Sequence, residues 1–319
     1  MYAIFGGLLL GWALGANDAA NVFGTAVASR IVRYRTAVIL AAIFIVLGAV
    51  IQGTGGIETL SELTKDRDAN SGGSANSALI VALSAAATVI WMTRLKLPVS
   101  TSQAVVGAII GAGLTRGFGE VPWGGLGKVV ACWVGTPTGA ALIAFLLYPV
   151  MSRFLASLRL NIIGRSVFLK TALIISGCYG AYALGGNSAA NVTGVFFGAD
   201  VFHDLPIRTY ALIGGLSIAL GVVTYSRGVM LTVGSRLVQL DAFSALVAVA
   251  AQAMTVHVYA FIGVPVSTSQ AIVGAVLGIG LFKGVRTVNK RTLLRILSGW
   301  LATPLIAGII AFAAAALLL

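Results

Sequence analysis

At 319 residues, with 58% apolar and only 9% charged residues, the chain falls far below the roughly one-quarter charge of soluble domains, which excludes an ordinary water-soluble globule. Its net charge of +12 does not mark a nucleic-acid binder, because Lys and Arg stand singly between apolar stretches and form no patch interleaved with aromatics. Cys132 and Cys178 lie inside apolar stretches without metal-ligand spacing, which excludes both a disulfide framework and a zinc site.

In chain order, apolar spans are predicted at about 3–29, 36–53, 75–93, 98–115 and 124–150, and again at about 168–198, 209–225, 243–261, 265–282 and 296–319. The expected fold is an all-α polytopic membrane protein with the lipid bilayer as its solvent. The apolar N-terminus, Met1 to Leu10, lacks a basic leader and a cleavage site, so it is expected to stay in the mature protein. The longest polar stretches, near 54–74 and 151–170, are too short for a soluble domain.

The first span carries Gly15-Ala-Asn-Asp-Ala-Ala-Asn-Val-Phe-Gly-Thr25, which puts a carboxylate, two amides and a hydroxyl where lipid makes them expensive. Asp18, with Asn21 beside it, is the place for a coupling proton or a hard cation such as sodium. Gly15 and Gly24 are expected to let the helix unwind and free backbone ligands. The plainer reading is that small polar residues stitch helices together, and it is weakest for Asp18, because a buried charge needs a partner.

Further on, Pro98-Val-Ser-Thr-Ser-Gln103 opens a span, and Pro265-Val-Ser-Thr-Ser-Gln270 opens another. Proline favours a first helical turn and Ser or Thr completes its free amides. A helix start inside the membrane is a ready anion site, since its N–H groups and positive dipole end face outward. His257 reads as a core histidine rather than a proton relay, and Trp133 and Trp300, each followed by Thr-Pro, read as packing and kink features. No Walker loop or nucleophile-base pairing appears, so the chain is expected not to be an enzyme.

The chain repeats itself. Leu14–Gly24 matches Leu184–Gly194 at an offset of 170, Pro98–Gly107 matches Pro265–Gly274 at 167, and Trp133 with Thr136-Pro137 matches Trp300 with Thr303-Pro304 at 167. This divides the chain into a first repeat at 1–150, a cytoplasmic linker at 151–167 and a second repeat at 168–319. Five spans per repeat is an odd number, so the halves must cross the membrane in opposite senses. With both termini outside, the inner segments hold Arg30, Arg33, Arg35, Arg94, Lys96, Arg153, Arg159, Arg165, Lys170, Arg227, Arg236, Lys283, Arg286, Lys290, Arg291 and Arg295. That is 16 of the 21 basic residues.

These motifs and their duplication resemble the inorganic phosphate transporter family across nearly the whole chain. The resemblance implies an inverted-repeat symporter of the cell membrane, with broken or re-entrant helices at the motifs, no cofactor beyond a coupling sodium ion or proton, and homodimerisation. By position it implies anion binding by Asn17, Ser100, Thr101, Ser102, Asn187, Ser267, Thr268 and Ser269, to which the motifs of this chain add Thr25, Gln103 and Gln270 as anion candidates. Cation coupling falls to Asp18, Asn21, Ser188 and Asn191, with sodium at Asp18, Asn21 and Asn191.

Two departures stand out: Ser188 replaces the second aspartate, and Gln103 and Gln270 replace the histidine common in phosphate carriers. A donor-only site suits sulfate, which has no proton to give, so the sulfate permease branch is expected ahead of phosphate. Thiosulfate, selenate and molybdate could share the site. A passive anion channel is the rival from another class.

Overall fold

A computed structural model describes residues 4–64, 74–95, 99–121, 123–202, 205–236, 240–284 and 290–319. Pro98 and, among the basic residues assigned to the inner side, Lys96 and Arg286 lie outside them.

The described elements are helical: α1 (Ile4–Ala28), α2 (Tyr34–Gln52), α3 (Thr54–Glu62), α4 (Ser74–Arg94), α5 (Thr101–Leu114), α6 (Trp123–Ser157), α7 (Ile162–Gly198), α8 (Ile207–Arg236), α9 (Ala242–Ile262), α10 (Thr268–Lys283) and α11 (Lys290–Leu318). Seven of them, α2, α4, α6, α7, α8, α9 and α11, contain stretches long and apolar enough to cross a bilayer, which makes this a multi-pass membrane protein. Residues 151–167, expected as a linker, comprise the end of α6, a short turn and the start of α7.

The segments that depart from ten simple spans are mainly those that carry motifs. At 14 and 16 residues, α5 and α10 fall short of the roughly 20 a crossing needs. α1 is 25 residues long, yet is not among the seven. The nine-residue α3 falls in a stretch expected to be loop; its glycine-rich start, Thr54-Gly55-Gly56, hides a helix that buries Ile57 and Leu60 against α7.

Equivalent helices lie antiparallel: Gly7 near the start of α1 meets Phe196 near the end of α7, and Gly177 in α7 meets Phe23 in α1. Inverted halves require that arrangement. Close packing of helix backbones crosses between halves and is reciprocal. Gly107 of α5 lies against Pro304 of α11, while its counterpart Gly274 of α10 lies against Pro137 of α6. A Cβ at either glycine would overlap the proline carbonyl, so only glycine lets these backbones meet. Each proline follows a threonine whose hydroxyl bonds back one turn, Thr136 to Cys132 O at 2.6 Å and Thr303 to Gly299 O at 2.7 Å, the pattern of a bent helix.

Candidate functional site

Both Pro-Val-Ser-Thr-Ser-Gln segments do what their capping chemistry predicts. Ser100 and Ser267 are extended (φ −114°, ψ 110° and φ −88°, ψ 115°), and their hydroxyls accept from the Gln103 and Gln270 amides at 3.4 and 3.2 Å. Each cap is worth about 1 kcal/mol and fixes where the helix begins. The result is two short helices starting inside the protein, with Thr101, Ser102, Thr268, Ser269 and both glutamines buried. Their hydroxyls pair locally, Ser100 with Ser102 at 3.3 Å and Ser267 with Ser269 at 2.9 Å.

The first motif reaches these helix starts. Asp18, 5% exposed, accepts the Thr268 hydroxyl at 2.8 Å on Oδ2 and the Asn21 amide at 3.3 Å on Oδ1. Asn21 also donates to Thr268 Oγ1 at 3.3 Å, which closes a triangle between α1 and α10. In the second half, Asn187 bonds the Val266 amide and carbonyl, both at 2.8 Å, and donates to the Ser188 hydroxyl at 3.3 Å. Ser269 donates to Val99 O at 2.9 Å, so the start of α10 also touches the stretch leading into α5.

Some expected residues stand apart. Asn17 is half-buried and donates to Thr93 Oγ1 at 2.8 Å. Buried oxygens of Thr25, Thr101, Gln103, Asn191 and Gln270 have no hydrogen-bond partner among the described residues. Among the described residues, no hydrogen bond joins Asn191 or Ser188 to Asp18. The same residues hold no His, Cys, Asp and Glu group suited to a metal ion. A hard cation at Asp18 would therefore depend on amide, hydroxyl and backbone oxygens.

Gly15 and Gly24 do not unwind anything: α1 and α7 run unbroken through their motifs. Gly15 serves close approach instead, since a Cβ there would overlap the Ile218 carbonyl of α8, just as one at Gly185 would overlap that of Ile45 in α2. His257 lies half-buried between Tyr179 and Tyr182, at ring-centroid distances of 5.4 and 5.7 Å, and its Nδ1 has no partner among the described residues. Cys132 and Cys178 are free. Sequence reasoning missed Thr93, a lone hydroxyl outside any motif; the backbone groups of Val99 and Val266, which lie inside the Pro-Val-Ser-Thr-Ser-Gln motifs but carry no polar side chain to mark them; and Gln252, which is fully buried with both amide atoms unpartnered among the described residues.

Residues 14–311 match the phosphate transporter family, so the chain belongs to that family of membrane transporters. It is 31% identical to a protein of Methanocaldococcus jannaschii named as a phosphate permease, over 94% of this chain and 91% of that one. It is 25% identical to the chloroplastic inorganic phosphate transporter 2-1 of Arabidopsis thaliana, over 93% of this chain and 68% of the other. A solved structure described as the sodium-dependent phosphate transporter shares its fold, with a TM-score of 0.86, 24% identity and coverage of 99% and 98%.

The expectation of a sulfate permease is overturned, since these relatives are named for phosphate. The premise of a donor-only site also fails: besides Asp18, the candidate residues include buried carbonyl oxygens on Gln103, Gln270 and Asn191 that have no partner among the described residues, and an anion without a proton has nothing to donate to them.

Proposed function

We propose that the chain is a secondary transporter that imports inorganic phosphate across the cell membrane, with a sodium ion or proton taken up at Asp18 as the coupling ion. The observation that carries this reading is the 2.8 Å bond from Thr268 to Asp18. It ties a carboxylate buried in the first motif to the capped start of α10. A place for positive charge and an anion-binding helix end therefore share one side-chain contact.

Family membership and the names of the relatives support phosphate as the cargo. Near neutrality phosphate keeps a proton, which gives it a donor for the unpartnered glutamine and asparagine oxygens as well as acceptors for the Ser and Thr hydroxyls. Sodium is supported by the name of the structural neighbour and by the oxygen-rich surroundings of Asp18. Anion contacts are assigned to Ser100, Thr101, Ser102, Gln103, Ser267, Thr268, Ser269 and Gln270, and cation contacts to Asp18, Asn21 and Asn191. Termini on the outer face and a homodimer belong to the same proposal.

The test is uptake of radiolabelled phosphate into proteoliposomes under an inward sodium or proton gradient, with sulfate as competitor. Gradient-dependent uptake that resists excess sulfate is expected. Equal uptake without any gradient would mean a channel, and inhibition by sulfate as strong as by unlabelled phosphate would remove the role given to the acceptor oxygens.

A further inference from the structure

The two halves carry the same motifs but are bonded differently at one point. Asn187, 1% exposed, closes both amide atoms on Val266 and so ties α7 to the extended stretch that leads into α10. The counterparts, by the offsets of 170 and 167, are Asn17 and Val99. There the bond is absent. Asn17 donates to Thr93 instead, and the Val99 carbonyl is taken by the Ser269 hydroxyl. The surroundings differ in the same sense: Asn17 and Thr25 are half-buried, whereas Asn187 and Val195, the counterpart of Thr25, are fully buried.

The surroundings also differ in one side chain, since Thr93, which holds Asn17, has Ala260 as its counterpart; the capped helix starts are otherwise matched. A bond made in one half and exchanged in the other is what a two-state element looks like when caught in one state. We propose that Asn187 and Asn17 are positioning residues that pin the starts of α10 and α5 in alternation. Asn187 is seated on Val266 in the state seen here; Asn17 swings from Thr93 to Val99 in the opposite one. This rests on the transport reading, because inverted halves exchange roles when a carrier turns to face the other side. The exchange has a built-in route: when Ser269 releases the Val99 carbonyl, that oxygen becomes free for Asn17. It also has a bias. The residue equivalent to Thr93 is Ala260, which offers no hydroxyl, so a released Asn187 finds no matching side chain and the present state is the resting one.

The experiment reads water access at two equivalent positions, Thr25→Cys and Val195→Cys, in protein whose own cysteines are replaced by Cys132→Ser and Cys178→Ala. Labelling by a charged maleimide is followed in detergent. At rest Thr25→Cys, at a half-buried position whose Oγ1 is itself shielded, should label slowly, and Val195→Cys, fully buried, should be protected. Asn187→Ala should raise labelling of Val195→Cys about tenfold, the worth of one to two hydrogen bonds, and lower that of Thr25→Cys. Ser269→Ala, which frees Val99 without touching Asn187, should shift both the same way. Asn17→Ala should leave Val195→Cys protected. In phosphate exchange, Asn187→Ala should lower the maximal rate and leave KM little changed. Labelling that rises at both positions after Asn187→Ala, or at neither, overturns the proposal. Because labelling does not depend on the solute carried, it decides the matter even if phosphate uptake is never found.

Discussion

The Thr268 hydroxyl and the Asp18 carboxylate meet at 2.8 Å across 250 residues of sequence. One lies at the start of α10 and the other in the middle of α1, so the bond forms only when the second half folds back onto the first. Replacing Asp18 by Asn keeps an acceptor for Thr268 and removes the charge. Gradient-driven phosphate uptake by Asp18→Asn should fall about 10- to 100-fold, the scale of a lost charged hydrogen bond. Initial rates with and without the gradient measure this; coupling that survives unchanged assigns the cation elsewhere.

Ser188 stands where a second carboxylate would mirror Asp18, and the buried Thr101 hydroxyl, equivalent to that of Thr268, has no partner among the described residues. Ser188→Asp should therefore give Thr101 an acceptor and add one intramembrane charge. The expected outcome is a steeper dependence of uptake on the coupling cation, by about one further ion per cycle. Flux measured against cation concentration shows it, and an unchanged slope removes Ser188 from the coupling set.

Gly107 and Gly274 each lie where a methyl group would strike a proline carbonyl on the facing helix. Gly107→Ala and Gly274→Ala should each destabilise the fold by about 1–3 kcal/mol, the usual cost of overpacking. The change is read as a lowered Tm in detergent. Gly228, which has open space around the corresponding position, should tolerate alanine without such a shift.

Asp241 caps α9, accepting the Ser244 amide at 2.9 Å and the Lys283 ammonium at 2.8 Å. Burial works to raise its pKa, but the bonds from Lys283 and Ser244 win and hold the carboxyl at about 2, below its ordinary 3.8. A lowered folded-state value means stability present above the unfolded pKa and lost as pH falls through the folded one. The loss should fall between about pH 4 and pH 2 and amount to at most about 1 kcal/mol for so exposed a pair. Asp241→Asn should flatten the acid limb of a Tm-against-pH curve, and an unchanged limb places the acid-sensitive group elsewhere.

Much of the architecture is legible in the residues. Apolar run length places α2, α4 and α9 within two residues of their observed bounds and finds α6, α7, α8 and α11, each of which runs six to eleven residues further at one end, because hydropathy is a property of consecutive residues. Capping is equally local, which is why the chain itself marks Ser100 and Ser267 as helix starts. The repeat, too, is written in the chain, since Asp18 and Ser188, or Gln103 and Gln270, can be aligned without knowing where they lie.

What only the tertiary structure decided concerns contacts between distant segments. Gly15 looks the same whether it unwinds a helix or admits a neighbouring backbone, and only the carbonyl of Ile218, far away in the chain, selects the second. α3 gains its helix from burial against α7 rather than from its own glycine-rich start. Asn17 and Asn187 are identical residues in near-identical motifs, yet one meets Thr93 and the other Val266. Composition and spacing set which donors and acceptors exist; which of several competent partners each one meets is settled by the packing of the two halves, a property of the folded whole that no local pattern encodes.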